Sequence, residues 1–207
     1  VIAISMGDPM GIGPEIIAKA LGDRTLRERA RYRVFGAAAA LEAEGTAGGV
    51  VKPYWWRISR DAEPAMVAAA LHHDVLVFDD PGYAYERDAH AGGTRGPTRS
   101  GGDASFRWVE DAIREAQRPA DDPRRADAIV TGPISKTSWS LAGHTQFPSH
   151  TELLAARFKA KRHAMLFVGP SLRVVLVTIH IPLMSVRDQL SIPRIIDTIG
   201  LADQACR

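Results

Sequence analysis

Cysteine is almost missing from this sequence. The single Cys206 cannot close an internal disulfide or build a thiolate metal centre, which excludes a disulfide-stapled scaffold and fits a reducing, cytoplasmic setting. Long apolar runs are missing too. No stretch approaches the length of a membrane-crossing helix, and no charged-then-apolar leader opens the chain. An excess of one charge is the third absence: 26 basic and 24 acidic side chains nearly cancel, leaving +2. That gives no electrostatic footprint for nucleic acid or an anionic membrane, while a local basic pocket for a small phosphate stays compatible with it. The remainder is ordinary globular composition, 45% hydrophobic and 24% charged over 207 residues, enough to bury a core in one large domain or two small ones.

Apolar runs too short for helices alternate with stretches of helical period. The strand-like runs are 1–6, 32–35, 75–78, 128–131, 165–168 and 172–178, and the helical patterns are 14–21, 37–44, 104–117, 151–158 and 193–205. Alternation of this kind, with continuous apolar strands, predicts an α/β protein with a largely parallel sheet covered by helices. The pattern is clearest over 104–117, where Ala104, Trp108, Val109, Ala112, Ile113 and Ala116 form one stripe. Gly45–Gly49 reads as a turn, and 91–102, with five glycines, reads as a loop that ends at a helix start before Asp103. Asp122-Pro123 marks a further turn and the expected division into a first α/β domain, 1–125, and a second, partial one, 126–207. Both edges of the chain look trimmed, since it opens inside a strand and stops inside a helical pattern.

Met6-Gly7-Asp8-Pro9-Met10-Gly11-Ile12-Gly13-Pro14-Glu15 runs straight from the first strand into a helix. Pro14 suits a first helical turn, and the glycines allow close backbone approach to a ligand. The spacing is neither the dinucleotide fingerprint nor a Walker A loop, so a tight structural turn and a ligand loop are both open. Asp8 either faces a site or caps the turn. Thr131-Gly132-Pro133-Ile134-Ser135-Lys136-Thr137 follows another buried strand and brings Lys136 to the end of the sheet where crevices form; a solvated lysine is the alternative. In Ser149-His150-Thr151-Glu152, Ser149 and Glu152 fit a capping box, which leaves His150 and Thr151 in the first turn of a helix. His180, thirty residues on, follows the most apolar strand and precedes Ile181-Pro182. It is a candidate metal ligand or acid/base, although one histidine alone makes no metal site. His144 reads as loop surface, and His72, His73, His90 and His163 read as solvated.

Taken together these segments resemble the 4-hydroxythreonine-4-phosphate dehydrogenase family of vitamin B6 biosynthesis. The matching pieces are 7–15, 131–136, the segment from Ala142-Gly143 through Phe147-Pro148-Ser149-His150-Thr151-Glu152, and Thr178-Ile179-His180-Ile181-Pro182-Leu183, in family order and at family spacing. The resemblance implies the isocitrate/isopropylmalate dehydrogenase-like fold, with two α/β/α domains and the active site in the cleft between them. It implies a homodimer with a shared active site, NAD or NADP as cofactor, and a divalent metal, zinc or alternatively magnesium, manganese or cobalt. By position, His150 and Thr151 fall on the substrate-contacting pair, His180 on the first of three metal-binding histidines, and Lys136 and Asp8 on motif positions near the cleft with candidate catalytic roles. Ser149 stands where the family usually has glycine, for which a small local change is expected. Family members continue well beyond the equivalent of Arg207, and that portion carries the other two histidines, the phosphate-gripping basic residues and most cofactor contacts. The implied reaction is oxidation of a phosphorylated hydroxy acid, 4-phosphohydroxy-L-threonine, followed by decarboxylation. The alternatives are 4-phospho-threonate or 4-phospho-erythronate, a terephthalate dihydrodiol, or a non-catalytic phosphometabolite-binding or dimerisation scaffold.

Overall fold

The structure, a computed structural model, describes residues 1–47, 49, 54–85 and 96–207. The chain forms two compact units, Val1–Glu152 and Leu153–Arg207.

In the first unit, β1 (Ile2–Ser5), β2 (Tyr32–Gly36), β3 (Trp56–Ser59), β4 (Val75–Asp79) and β5 (Ala128–Thr131) form a parallel sheet in the order β3-β4-β2-β1-β5. Continuous apolar runs form its centre because such strands are covered on both faces. Helix α1 (Gly13–Gly22) packs beside Ile2 and Ile4 and against α3 (Ala38–Ala47), and the short α2 (Arg24–Arg27) leads into β2. Ser5, Phe35 and Phe78 stand in register and therefore share the opposite face. There Phe35 and Phe78 stack 4.9 Å apart, beneath the long helix α5 (Arg99–Ala116). Helices on both faces make this a doubly wound sheet. The short α4 (Pro64–Ala70) precedes β4.

Helix α5 begins five residues before the expected start. Thr98 caps it, with its Oγ1 accepting from Gly101 N at 2.9 Å, so the glycine-rich loop ends sooner than its composition suggests. Gly101 and Gly102 lie in the first turn, where a Cβ on Gly102 would overlap the carbonyl oxygen of Ser138. That contact sets how closely α5 meets α6 (Lys136–Ala142). The expected Gly45–Gly49 turn is displaced as well: α3 continues through Ala47, and Thr46 Oγ1 donates to Glu42 O inside it. Residues 91–95 of the glycine-rich loop, and His90, lie outside the described residues.

A turn does form at Asp122, whose Oδ1 accepts from Arg124 N. The chain then returns to the same sheet, with Asp127 N donating to Val1 O and β5 pairing with β1. The expected domain division at 125/126 thus falls inside the first compact unit.

The second unit holds most of α7 (His150–Arg157), strands β6 (Leu166–Val168) and β7 (Arg173–Val175), a 3-10 turn Leu183–Ser185, α8 (Val186–Gln189) and α9 (Ile192–Cys206). The two strands pair antiparallel, Leu166 opposite Val175, across a turn in which Gly169 N donates to Leu172 O. So short a connection allows only a hairpin, because a parallel pair needs a long crossover. The expected strand 172–178 stops at Val175. Ser191 Oγ caps α9, and Arg194 Nε donates to Val177 O. Ile192, Ile196 and Ile199 remain exposed on α9. Among the described residues no helix is long and apolar enough to cross a membrane.

Candidate functional site

Strand β1 lies between β2 and β5, so the chain leaves it towards one side of the sheet and returns on the other. A crevice beyond the carboxyl ends of two such strands is the place where doubly wound sheets bind ligands. A hollow of about 300 Å³ occupies that place here, lined by Asp8, Met10, Gly11 and Ile12 after β1, by 133–135 after β5, and by Gly96 and Pro97. The two loops that stand out in the sequence therefore meet.

Glycine serves the turn as much as any ligand. Gly7 adopts φ +78°, and a Cβ there would overlap the Pro133 carbonyl; one on Gly13 would overlap the Met6 carbonyl. Gly11, by contrast, faces the hollow. The segment is a structural turn, and its Gly11 also borders the hollow.

Asp8 is 4% exposed. Its Oδ1 accepts from Met10 N at 2.9 Å and its Oδ2 from the Ser138 hydroxyl at 2.7 Å, while its own N–H donates to Pro133 O at 2.8 Å. It is a turn-capping side chain that also borders the hollow, and it ties the β1 loop to α6. Lys136 begins α6, capped by Ser135, whose Oγ accepts from Ser138 N. Lys136 is exposed and lines a second hollow of about 240 Å³ with Trp139, His144 and Phe147. Asp8 and Lys136 therefore open onto different depressions.

His150 starts α7 and meets the Trp139 ring edge-on at 5.8 Å. Its Nε2 is buried without a hydrogen-bond partner among the described residues, and burial lowers the imidazole pKa from its ordinary 6.5. Thr151 N donates to Ser149 Oγ, and the Ser149 hydroxyl donates to Glu152 Oε2 at 2.5 Å. Ser149 and Glu152 do clasp the helix start, through the hydroxyl hydrogen.

His180 belongs to the second unit. It lies five residues beyond the end of β7, not at a strand end, on an exposed bend with φ +55°. Among the described residues no group of three His, Cys, Asp or Glu side chains could hold a metal ion. His144 is no loop decoration: its ring stacks on Phe106 at 3.9 Å, and Nε2 lies 3.1 Å from Asp103 Oδ1. His73 likewise stacks on Trp56 at 4.7 Å.

Sequence reasoning missed Ser138 and Asp80. Ser138 carried a usable signal, since Ser135 three residues earlier announces a helix cap. Asp80, 3% exposed, accepts from Trp108 Nε1 at 2.9 Å and from Arg107 Nη2 at 2.6 Å. It anchors α5, whose first turn borders Asp8.

Residues 58–207 match the family model for pyridoxal phosphate biosynthetic protein PdxA. The chain is 38% identical over 200 residues to a 4-hydroxythreonine-4-phosphate dehydrogenase from Geobacter metallireducens, covering 97% of this chain and 55% of that protein. It is 36% identical to the D-threonate 4-phosphate dehydrogenase of Salmonella typhimurium, covering 98% of this chain and 57% of that protein. Among solved structures, the 4-hydroxythreonine-4-phosphate dehydrogenase of Klebsiella pneumoniae aligns with TM-score 0.74 at 31% identity, over 99% of this chain and 57% of that one. A candidate 4-hydroxythreonine-4-phosphate dehydrogenase from Salmonella typhimurium aligns with TM-score 0.77 at 34% identity, over 99% of this chain and 59% of that one. The chain spans a little over half the length of the curated relatives it matches. With the family model covering well over half of its residues, the chain belongs to the pyridoxal phosphate biosynthetic protein PdxA family.

Proposed function

We propose that the chain carries part of a nicotinamide-dependent dehydrogenase that oxidises the secondary alcohol of a small phosphorylated hydroxy acid. The substrate in this reading is 4-phosphohydroxy-L-threonine, with D-threonate 4-phosphate as the close alternative; dehydrogenases of both kinds stand among the relatives. The observation that carries it is the hollow at the sheet's switch point, built from the two motif loops of a PdxA-family chain.

His150 and Thr151 hold the substrate phosphate or carboxylate. The buried Nε2 of His150 has no partner among the described residues, and the neutral ring that burial favours can still donate one N–H to such an anion. The α7 start adds backbone N–H donors. NAD or NADP supplies the two-electron acceptor for the carbinol hydrogen. Lys136, exposed at the start of α6, is the candidate to take the alcohol proton. The resulting 3-oxo acid loses carbon dioxide.

A divalent metal, zinc or alternatively magnesium, manganese or cobalt, belongs to this reading, with His180 as one ligand that would help polarise the alcohol oxygen. The described residues do not complete such a site. Its other donors would come from residues beyond those described or from a second copy of the chain in a homodimer.

The test is NAD(P)H formation by the purified protein with each phosphorylated acid, with and without each metal, together with the metal content of His180→Ala. Turnover, and metal lost with the imidazole, are the expected results. Phosphorylated acid bound without cofactor reduction under every metal condition overturns the dehydrogenase reading in favour of a binding scaffold.

A further inference from the structure

We infer that the second unit carries an anion site of its own, a basic hollow against α9 that takes the phosphate group of a small phosphomonoester. The inference does not depend on the dehydrogenase reading.

The hollow, of about 210 Å³, lies where residues 161–164, before β6, and the chain just after β7 face α9. Lys161, Arg162 and Arg194 line it against one carboxylate, Asp197, and His163 adds an imidazole. The whole chain carries only +2, so three cations around one small hollow are a local concentration and not a share of a general excess. None of these charged side chains falls in the sequence motifs, and His163, solvated by its sequence context, becomes part of a wall.

The cations are available to a ligand. Lys161 and His163 bond no other side chain among the described residues. Arg162 commits one nitrogen, Nη1, to Asp197 Oδ1 at 3.0 Å, in a pair whose members are each about half exposed and therefore weakly held. Arg194 is held more firmly. Its Nε donates to Val177 O at 2.9 Å and its Nη1 to Gln189 Oε1 at 3.1 Å, which orients the guanidinium while Nη2 keeps its hydrogens for a ligand. Leu176, Val177 and Leu201 give the hollow an apolar wall. Walls of low dielectric focus the field of the cations, and a phosphate dianion answers it with charge-assisted hydrogen bonds. A short carbon chain on that phosphate covers the apolar wall.

The experiment follows the backbone amides of Ala164, Val177 and Thr198 by NMR in the full chain at constant ionic strength. The probes are propyl phosphate, inorganic phosphate and, as the uncharged control, 1-propanol. Propyl phosphate should shift these amides saturably and bind about tenfold more tightly than inorganic phosphate, the gain from covering about two methylenes; 1-propanol should leave them unmoved. Lys161→Gln alters an exposed side chain with no bond to lose, and should weaken propyl phosphate about fivefold. Asp197→Asn keeps an acceptor for Arg162 and removes the negative charge, so it should tighten binding by about the same factor. Arg187→Gln removes an exposed charge outside the hollow and should change nothing. No saturable shift with either phosphate, unchanged affinities in Lys161→Gln and Asp197→Asn, or equal losses in Arg187→Gln and Lys161→Gln overturn the site. Inorganic phosphate bound as tightly as propyl phosphate overturns the ester assignment and makes the free ion the ligand. A failed turnover assay leaves these titrations as they are, because none of the charged side chains involved lines either hollow of the first unit described above.

Discussion

Removing the Asp80 carboxylate tests the largest energetic claim. Asp80 Oδ2 accepts from Trp108 Nε1 and from Arg107 Nε and Nη2, and Oδ1 accepts from Gly82 N. Burial disfavours the charge more than any single partner favours it. The hydrogen bonds from Arg107 and Trp108, the Arg107 charge and the Gly82 N–H together outweigh burial and hold the pKa below the usual 3.8. In Asp80→Ala the indole N–H of Trp108, 0% exposed, loses its acceptor, a penalty of about 1–3 kcal/mol. Arg107 is 30% exposed and keeps Asp103 as a partner, so the lost ion pair adds only about 1 kcal/mol. The sum is about 3 kcal/mol, read as a fall in urea-unfolding free energy at neutral pH by tryptophan fluorescence. Asp80→Asn keeps an acceptor for Trp108 and should lose about half as much. A loss under about 1 kcal/mol in Asp80→Ala, or equal losses in both variants, would refute the account of the indole bond. Because the Asp80 value is depressed, its stabilisation is present at neutral pH and disappears as acid protonates the folded-state carboxylate.

Gly102→Ala should destabilise the first unit by about 2 kcal/mol, since the new methyl overlaps the Ser138 carbonyl and pushes α5 from α6; an unchanged urea midpoint would contradict that packing. His144→Ala should leave metal content alone and cost about 1 kcal/mol of stability, through the lost Phe106 stack. Bound metal lost in that variant would make His144 a ligand. For His150 the folded-state pKa lies below the ordinary 6.5, so the unfolded chain binds the proton more readily. Stability should therefore fall as the pH drops below about 7, and His150→Phe should flatten that dependence; parallel pH curves for the two proteins would show that this imidazole contributes nothing to it.

Much of the first unit was legible because burial writes a plain pattern. Val34, Leu76 and Val77 are fully buried in strands covered on both faces, and the stripe through Trp108, Val109 and Ala112 fixed α5. Strand β3 escaped notice because it is an edge strand with only Ile58 buried and Trp56 half exposed. The start of α5 depended on a threonine cap and on tolerance of Gly101 and Gly102, which composition alone assigns to a loop. In the second unit the apolar run 172–178 implied a buried strand, yet β7 forms a hairpin whose residues stay largely accessible. Of the candidate site, the placing of each motif loop at a strand end was readable from strand-loop-helix order; that the two loops meet was not, because it depends on β5 pairing with β1. The commitment of both Asp8 oxygens was not, because Ser138 lies 130 residues away.

The bend at His180 carries a thermodynamic consequence. An L-residue held at positive φ gives up roughly 1 kcal/mol relative to glycine, and an exposed ring recovers none of it through packing. Glycine at this position should therefore raise the unfolding free energy of the second unit, while alanine should not. If His180→Gly is indeed sturdier than both His180→Ala and wild type, the imidazole is retained at the expense of folding, the trade that a side chain kept for chemistry imposes.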